Sequence, residues 1–147
     1  MSIRERSAKL GLPQTRLSNR GVVRVLADTH ALVWALSDPD LLSGPARQVL
    51  GESEVVVSIA SLWELLLKGG KKDALLQDPL PWWEKYVVQS RIPTLAIRTS
   101  HVVALGRLPE SHKDPFDRIL VAQAIVERMP LVTKDDRLQR YGIATIW

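Results

Sequence analysis

Apolar positions along this chain fall into short β-branched runs that alternate with longer stretches of helical period. Residues 22–27 form a run fit for a buried parallel strand, and residues 29–36 read as a helix following Asp28. Asp38-Pro39-Asp40 breaks that helix. Ser43 then caps a second one, with Pro45 near its start, that runs to Leu50. Residues 55–58 predict the next strand, and residues 59–68 a helix closed by Gly69-Gly70. A polar, proline-containing connection over 71–80 leads to a helix around 82–89, a candidate strand at 94–97 and a short helix at 100–106. After a loop over 108–113, Asp114 opens a long helix to Arg128, followed by a strand at 131–133, a helical turn at 136–141 and a last strand at 143–146. Strands alternating with helices predict an α/β fold with a central, mostly parallel sheet covered on both faces.

With 147 residues and 46% hydrophobic content, the chain has enough apolar material for one ordinary core, so residues 22–147 are read as a single domain. The absence of cysteine excludes disulfides, thiolate nucleophiles and cysteine-bound zinc, and makes the reducing cytoplasm the natural compartment. No apolar run approaches the roughly 20 residues of a membrane span, and the N-terminus lacks the apolar block of a signal peptide. A membrane partner is therefore not expected.

The isoelectric point of 9.7 invites a nucleic-acid reading, but the charge is unevenly placed. Residues 1–24 carry Arg4, Arg6, Lys9, Arg16, Arg20 and Arg24 against Glu5 alone. The rest of the chain then holds 14 basic and 15 acidic side chains, so the basicity belongs to the tail. Residues 1–21, which include Gly11, Pro13 and Gly21, are read as a flexible basic arm. Such an arm is either a solvated extension or a phosphate contact.

In an open parallel sheet, chemistry collects where strands hand over to helices at their carboxyl ends. Asp28 follows the strand ending at Ala27, and Asp135 lies two residues beyond Thr133, so both stand at the same edge. Glu64 sits about two turns into the helix after the second strand, and Asp117 in the first turn of the helix that Asp114 opens. Each acid also has a structural explanation. Asp28, Asp135 and above all Asp114, with Pro115 behind it, suit helix N-caps. Asp117 can answer the helix dipole and Glu64 can pair with Lys68 four residues on. Glu64 is the only charge in residues 55–67, however, and a carboxylate among so many apolar neighbours needs a compensating partner. A cluster of four acids repels itself unless a cation holds it together, which favours a divalent metal over four independent caps. All-oxygen ligation points to Mg²⁺ or Mn²⁺ rather than zinc.

The ordered set of segments resembles the PIN domain family, and within it the VapC-type toxins. The matching stretches are Val25-Leu26-Ala27-Asp28-Thr29-His30-Ala31-Leu32-Val33-Trp34, Ser58-Ile59-Ala60-Ser61-Leu62-Trp63-Glu64, His112-Lys113-Asp114-Pro115-Phe116-Asp117-Arg118 onward to Ala124, and Leu131-Val132-Thr133-Lys134-Asp135. They occur in family order and are spread from Val25 to Asp135, across most of the stretch from Val22 to Trp147. The resemblance implies a three-layer α/β/α PIN-like fold and a metal-dependent endoribonuclease of a type II toxin–antitoxin system. By position, the family's four acids fall on Asp28, Glu64, Asp117 and Asp135, as catalytic groups and metal ligands. Asp114 and Thr133 become supporting residues. The basic arm departs from the family, whose members of this type commonly begin almost at the first strand.

The expected reaction is hydrolysis of an RNA phosphodiester by water at one or two metal ions. Lys113, Arg118, Lys134 and Arg137 lie near the same edge in sequence and are candidate phosphate contacts, with solvated surface charge as the alternative for each. His30, His101 and His112 are read as loop or capping residues, and Trp34 and Trp63 as core. Trp82 and Trp83 cannot both face one side of a helix, so one of them is a candidate interface residue toward an antitoxin or a second copy in a homodimer. Two rival classes exist. A receiver or phosphatase-like phosphoryl-transfer domain also places Asp at strand ends, but the phosphatase needs a second Asp where His30 stands, and Lys134 alone is thin support for a receiver. A non-catalytic PIN-like binding module is the other, and the presence of all four acids argues against it.

Overall fold

A computed structural model describes residues 23–110 and 112–147. The basic arm expected over residues 1–21 lies outside the described residues. The chain forms five strands, β1 (Arg24–Ala27), β2 (Glu54–Ser58), β3 (Thr94–Leu95), β4 (Leu131–Val132) and β5 (Thr145–Ile146). The described helices are α1 (Thr29–Ser37), α2 (Gly44–Glu52), α3 (Ile59–Lys68), α4 (Pro79–Trp83), α5 (Thr99–Arg107) and α6 (Pro115–Glu127). Short 3₁₀ turns cover Pro39–Leu41 and Asp136–Tyr141.

The sheet runs β3-β2-β1-β4-β5 and every pairing is parallel. Alternate residues of each strand serve opposite faces. Val25, Ala27, Val55, Val57 and Val132 meet α1, α2 and Trp83 on one side. Leu26, Val56 and Leu131 meet Leu120, Val121 and Ala124 of α6 on the other. This alternation makes the three-layer α/β/α architecture. It also explains why α6 buries six consecutive residues from Ile119 to Ala124: the sheet takes one side, while Ile119 and Ala122 pack with Ala60 of α3.

Most elements form where the patterning predicts them, and the differences lie at ends. β3 stops at Leu95 rather than 97, because the Ala96 carbonyl turns to accept from the buried Gln123 amide at 3.3 Å. The helix expected around 82–89 starts earlier, at Pro79, and continues from Glu84 to Val88 as a π-helical turn, with the Gln89 amide bonded to the Glu84 carbonyl at 3.0 Å. No helix among the described residues is long and apolar enough to cross a membrane.

Strand order decides where a cleft can open. From β1 the chain steps outward to β2 and β3, then crosses to β4 on the other flank of β1. The connections leaving β1 and β4 thus diverge, and a crevice forms beyond the carboxyl ends of this adjacent pair.

Candidate active site

Asp28 leaves β1 as the N-cap of α1, with Oδ1 accepting from the Ala31 amide at 2.8 Å and its own amide donating to the Val132 carbonyl at 3.0 Å. The cap and the sheet ladder together fix it at the mouth of the crevice. Burial raises the Asp28 pKa, against a hydrogen bond from the Thr133 side chain and the Ala31 bond, which lower it. Thr133, itself buried, thus lies in direct contact with the Asp28 carboxyl.

Glu64 is buried on α3, only 5% exposed. Helix α3 starts on a Ser58 cap, whose Oγ accepts from the Ala60 amide at 3.0 Å. It is pinned to α1 by the buried Thr29–Ser61 hydroxyl pair at 3.0 Å. Lys68, one turn on, binds Glu64 Oε2 and lies 4.0 Å from Asp114 Oδ2. The Lys68 pKa is raised: burial works against its charge, but the hydrogen bond and charge of Glu64 outweigh it, with Asp114 and Asp117 adding to the pull.

Asp114 caps α6, accepting from the Phe116 amide at 2.8 Å and the Asp117 amide at 3.2 Å. Asp117 is thereby held one turn inside. Burial first, then the charge of Asp114, with further repulsion from Glu64 and Asp28, pushes its carboxyl up to about 7, while His112 opposes the shift. Asp135 has the reverse environment. Its Oδ1 accepts from Arg137 Nε at 2.8 Å and its Oδ2 from Nη2 at 2.7 Å, and this fork, against burial, holds the carboxyl well below the usual carboxylate range.

Asp28, Glu64, Asp117 and Asp135 line one cleft of about 440 Å³, together with Asp114, His30, Trp34, Lys68, Lys134 and Arg137. Capping does not take these acids out of the cleft, since Asp28, Asp114 and Asp135 each cap a helix start and also line it. Among the described residues, His112, Asp117 and Asp135 bring one possible ligand atom each within 4.8 Å of one another, and Asp28 and Glu64 add carboxylate oxygens to the same lining. That donor set fits a hard divalent cation.

The candidate cations separate. Lys134 and Arg137 line the cleft, Lys134 with its ammonium 5.8 Å above the Trp34 ring. Arg118 does not: its Nη1 donates to the Pro109 carbonyl at 2.9 Å and the Tyr141 hydroxyl at 3.3 Å, tying the start of α6 to neighbouring loops. Lys113 is exposed and outside the lining. Lys68, read from sequence only as a helix pair for Glu64, is part of the site.

Three further expectations change. His112 is more than a loop residue, because Nε2 stands 3.1 Å from Asp135 Oδ2 and 3.5 Å from Asp117 Oδ2, while Nδ1 accepts from the Asp114 amide at 3.2 Å. That bond to Nδ1 leaves Nε2 as the protonated, donating nitrogen. The imidazole joins two acids from different elements, a contact no local spacing announces. Trp63 is 56% exposed rather than core, standing edge-on to Phe116 at 5.2 Å, because it projects from the side of α3 opposite the sheet. Of the tryptophan pair, Trp83 enters the core, and Trp82 stays half-buried, donating to Ser37 Oγ at 2.9 Å. His101, by contrast, acts at a helix start as expected, accepting from the Arg98 amide at 3.0 Å.

Comparison with known proteins agrees with this architecture. Ribonuclease VapC22 of Mycobacterium tuberculosis (strain ATCC 25618 / H37Rv) is 32% identical over 128 residues, spanning 84% of this chain and 98% of that protein. The crystal structure of VapBC2 from Rickettsia felis bound to a DNA fragment from their promoter superposes with a TM-score of 0.60 at 18% identity, over 84% of this chain and 97% of that one; a likeness at this identity speaks to the fold. The model of the PIN domain matches residues 25–144, a stretch that holds β2 to β4, all but the first residue of β1 and all of the cleft acids, and the chain therefore belongs to the PIN domain family.

Proposed function

We propose that the chain is a metal-dependent endoribonuclease that hydrolyses RNA phosphodiester bonds, and that it is the toxin of a toxin–antitoxin pair. The observation that carries the chemistry is the convergence of Asp28, Glu64, Asp117 and Asp135 on one cleft, with Asp117 pushed up to about 7. Burial and the neighbouring acids disfavour the charge of Asp117, and a bound cation would offset both. The similarity to Ribonuclease VapC22 supports RNA as the substrate class. An antitoxin partner is supported by the fold-level likeness to VapBC2; a homodimer is the assembly we propose for the free toxin.

The four carboxylates would hold one or two Mg²⁺ or Mn²⁺ ions. Bound there, the metal supplies a hard positive charge that acidifies a water and neutralises a phosphate. The protein's own groups do the rest. The Thr133 hydroxyl orients Asp28, and the His112 Nε2–H orients Asp117 and Asp135. Asp114 fixes the first turn of α6, so Asp117 enters the cleft at a set angle. Lys134 and Arg137 present positive charge along the lining where a phosphate backbone would pass.

The test is to incubate the purified chain with structured and single-stranded RNA in Mg²⁺, Mn²⁺ or EDTA, alongside Asp28→Asn and Asp117→Asn. Both substitutions keep a side-chain oxygen and so preserve local hydrogen bonding. Cleavage is expected only with metal and only in the unsubstituted protein. Cleavage that survives EDTA, or both substitutions, sinks the metal reading.

A further inference from the structure

Each of the three long cations lining the cleft already has a partner. Arg137 is forked onto Asp135, Lys134 lies over Trp34, and Lys68 is bonded to Glu64. Of the two carboxylates so paired, Glu64 is the more deeply buried. The Lys68 side chain is 50% exposed, while that of Glu64 is 7% exposed. Lys68 thus reaches in from the rim to a carboxylate deep in the wall, with Asp114 Oδ2 at 4.0 Å and the Phe116 ring centroid 5.9 Å away. It also borders an adjoining cavity of about 170 Å³ formed with Asp73, Leu75 and Leu76, so the lysine chain has space on both sides.

We propose that Lys68 is a displaceable counter-ion: its ammonium neutralises Glu64 while the cleft holds no metal, and when a divalent cation takes Glu64 the ammonium turns to a phosphate oxygen of the RNA. This rests on the metal reading above and extends it to a residue outside the four acids. The physical reason is competition. A carboxylate as buried as Glu64 needs a positive charge at all times, but an ammonium and a divalent ion on the same oxygens repel each other. Released, Lys68 remains anchored on α3, at the rim along which a phosphate must approach. Metal and RNA binding become positively coupled through one side chain.

The experiment uses the full chain with Lys68→Met, which keeps the apolar stem against Phe116, and Lys68→Arg, which keeps the charge. Circular dichroism checks that both fold. Mn²⁺ affinity is measured by calorimetry at pH 8, and RNA affinity is measured across salt in Ca²⁺ or in EDTA. Lys68→Met is expected to bind Mn²⁺ roughly three- to tenfold more tightly, because a competing charge is gone. Its RNA affinity should fall in Ca²⁺, with a salt slope smaller by about one phosphate contact, and fall less in EDTA, where Lys68 is held on Glu64 and only the net charge of the cleft changes. Lys68→Arg should retain the salt slope of the unsubstituted protein. Weaker or unchanged Mn²⁺ binding by Lys68→Met, or an equal loss of RNA affinity in Ca²⁺ and EDTA, overturns the proposal while the metal reading stands. Failure of the unsubstituted protein to bind Mn²⁺ overturns the metal reading itself, and the proposal with it.

Discussion

His112 Nε2 lies 3.1 Å from Asp135 Oδ2, so a loop residue before α6 clasps the acid that follows β4. The same nitrogen is 3.5 Å from Asp117, and its partner Nδ1 is fixed by the Asp114 amide. The site therefore has a built-in orienting group that contributes no carboxylate.

Replacing His112 tests that role. His112→Ala leaves Asp117 and Asp135 without their shared donor, and loss of an orienting neighbour typically weakens metal binding or activity by about 10- to 100-fold. Calorimetry with Mn²⁺ and an RNA cleavage assay should both register the loss. An unchanged affinity would mean that the imidazole only fills space.

Asp117 makes stability depend on pH in an unusual direction. Its folded carboxyl is raised to about 7 from an ordinary 3.8, so the folded state holds the proton more tightly than the unfolded chain. The contribution of this group is therefore greatest below about 4 and is lost as pH rises through 7. In EDTA at pH 8, Asp117→Asn should be more stable than the unsubstituted protein by about 1–2 kcal/mol, after discounting for solvent screening. Thermal melts between pH 4 and 8 check both the slope and its removal. Mn²⁺ should stabilise the unsubstituted protein far more at pH 8 than at pH 5.

Asp135 behaves oppositely. The Arg137 fork depresses its carboxyl, so this group's contribution is present above the unfolded value of about 4 and is lost as pH falls below it. Arg137→Met should return the Asp135 carboxyl toward the ordinary range, read by carbon-detected NMR titration. No movement would assign the depression to His112 instead.

The tryptophans divide by burial. Trp83, with 6% exposure in the core that covers one face of the sheet, should cost about 3–5 kcal/mol on replacement by Ala. Trp63 keeps mainly its edge contact with Phe116, so Trp63→Ala should cost on the order of 1 kcal/mol. Urea denaturation distinguishes the two, and equal losses would contradict the packing described.

The alternation of β-branched runs with helical periods was enough to predict a mostly parallel sheet covered on both faces, because its strands are apolar on both sides; the resemblance to the PIN domain family supplied the three-layer α/β/α arrangement. Asp28, Asp114 and Asp135 could be placed at helix starts from sequence, since capping is a local interaction within about three residues. Their convergence with Glu64 and Asp117 was inferable only as a consequence of strand ends sharing one edge. What spacing could not supply were contacts between groups far apart in the chain. His112 meets Asp135 across 23 residues, and Arg118 turns away to Tyr141 across another 23. Lys68 was visible as a helix neighbour of Glu64, but its second approach, to Asp114, depends on how α3 lies against α6. The sequence by itself determined which residues bear charge and where helices begin. Tertiary structure alone decided which charges are desolvated and which cation faces which acid, because those depend on the crossing from β3 to β4 that brings distant segments to one crevice.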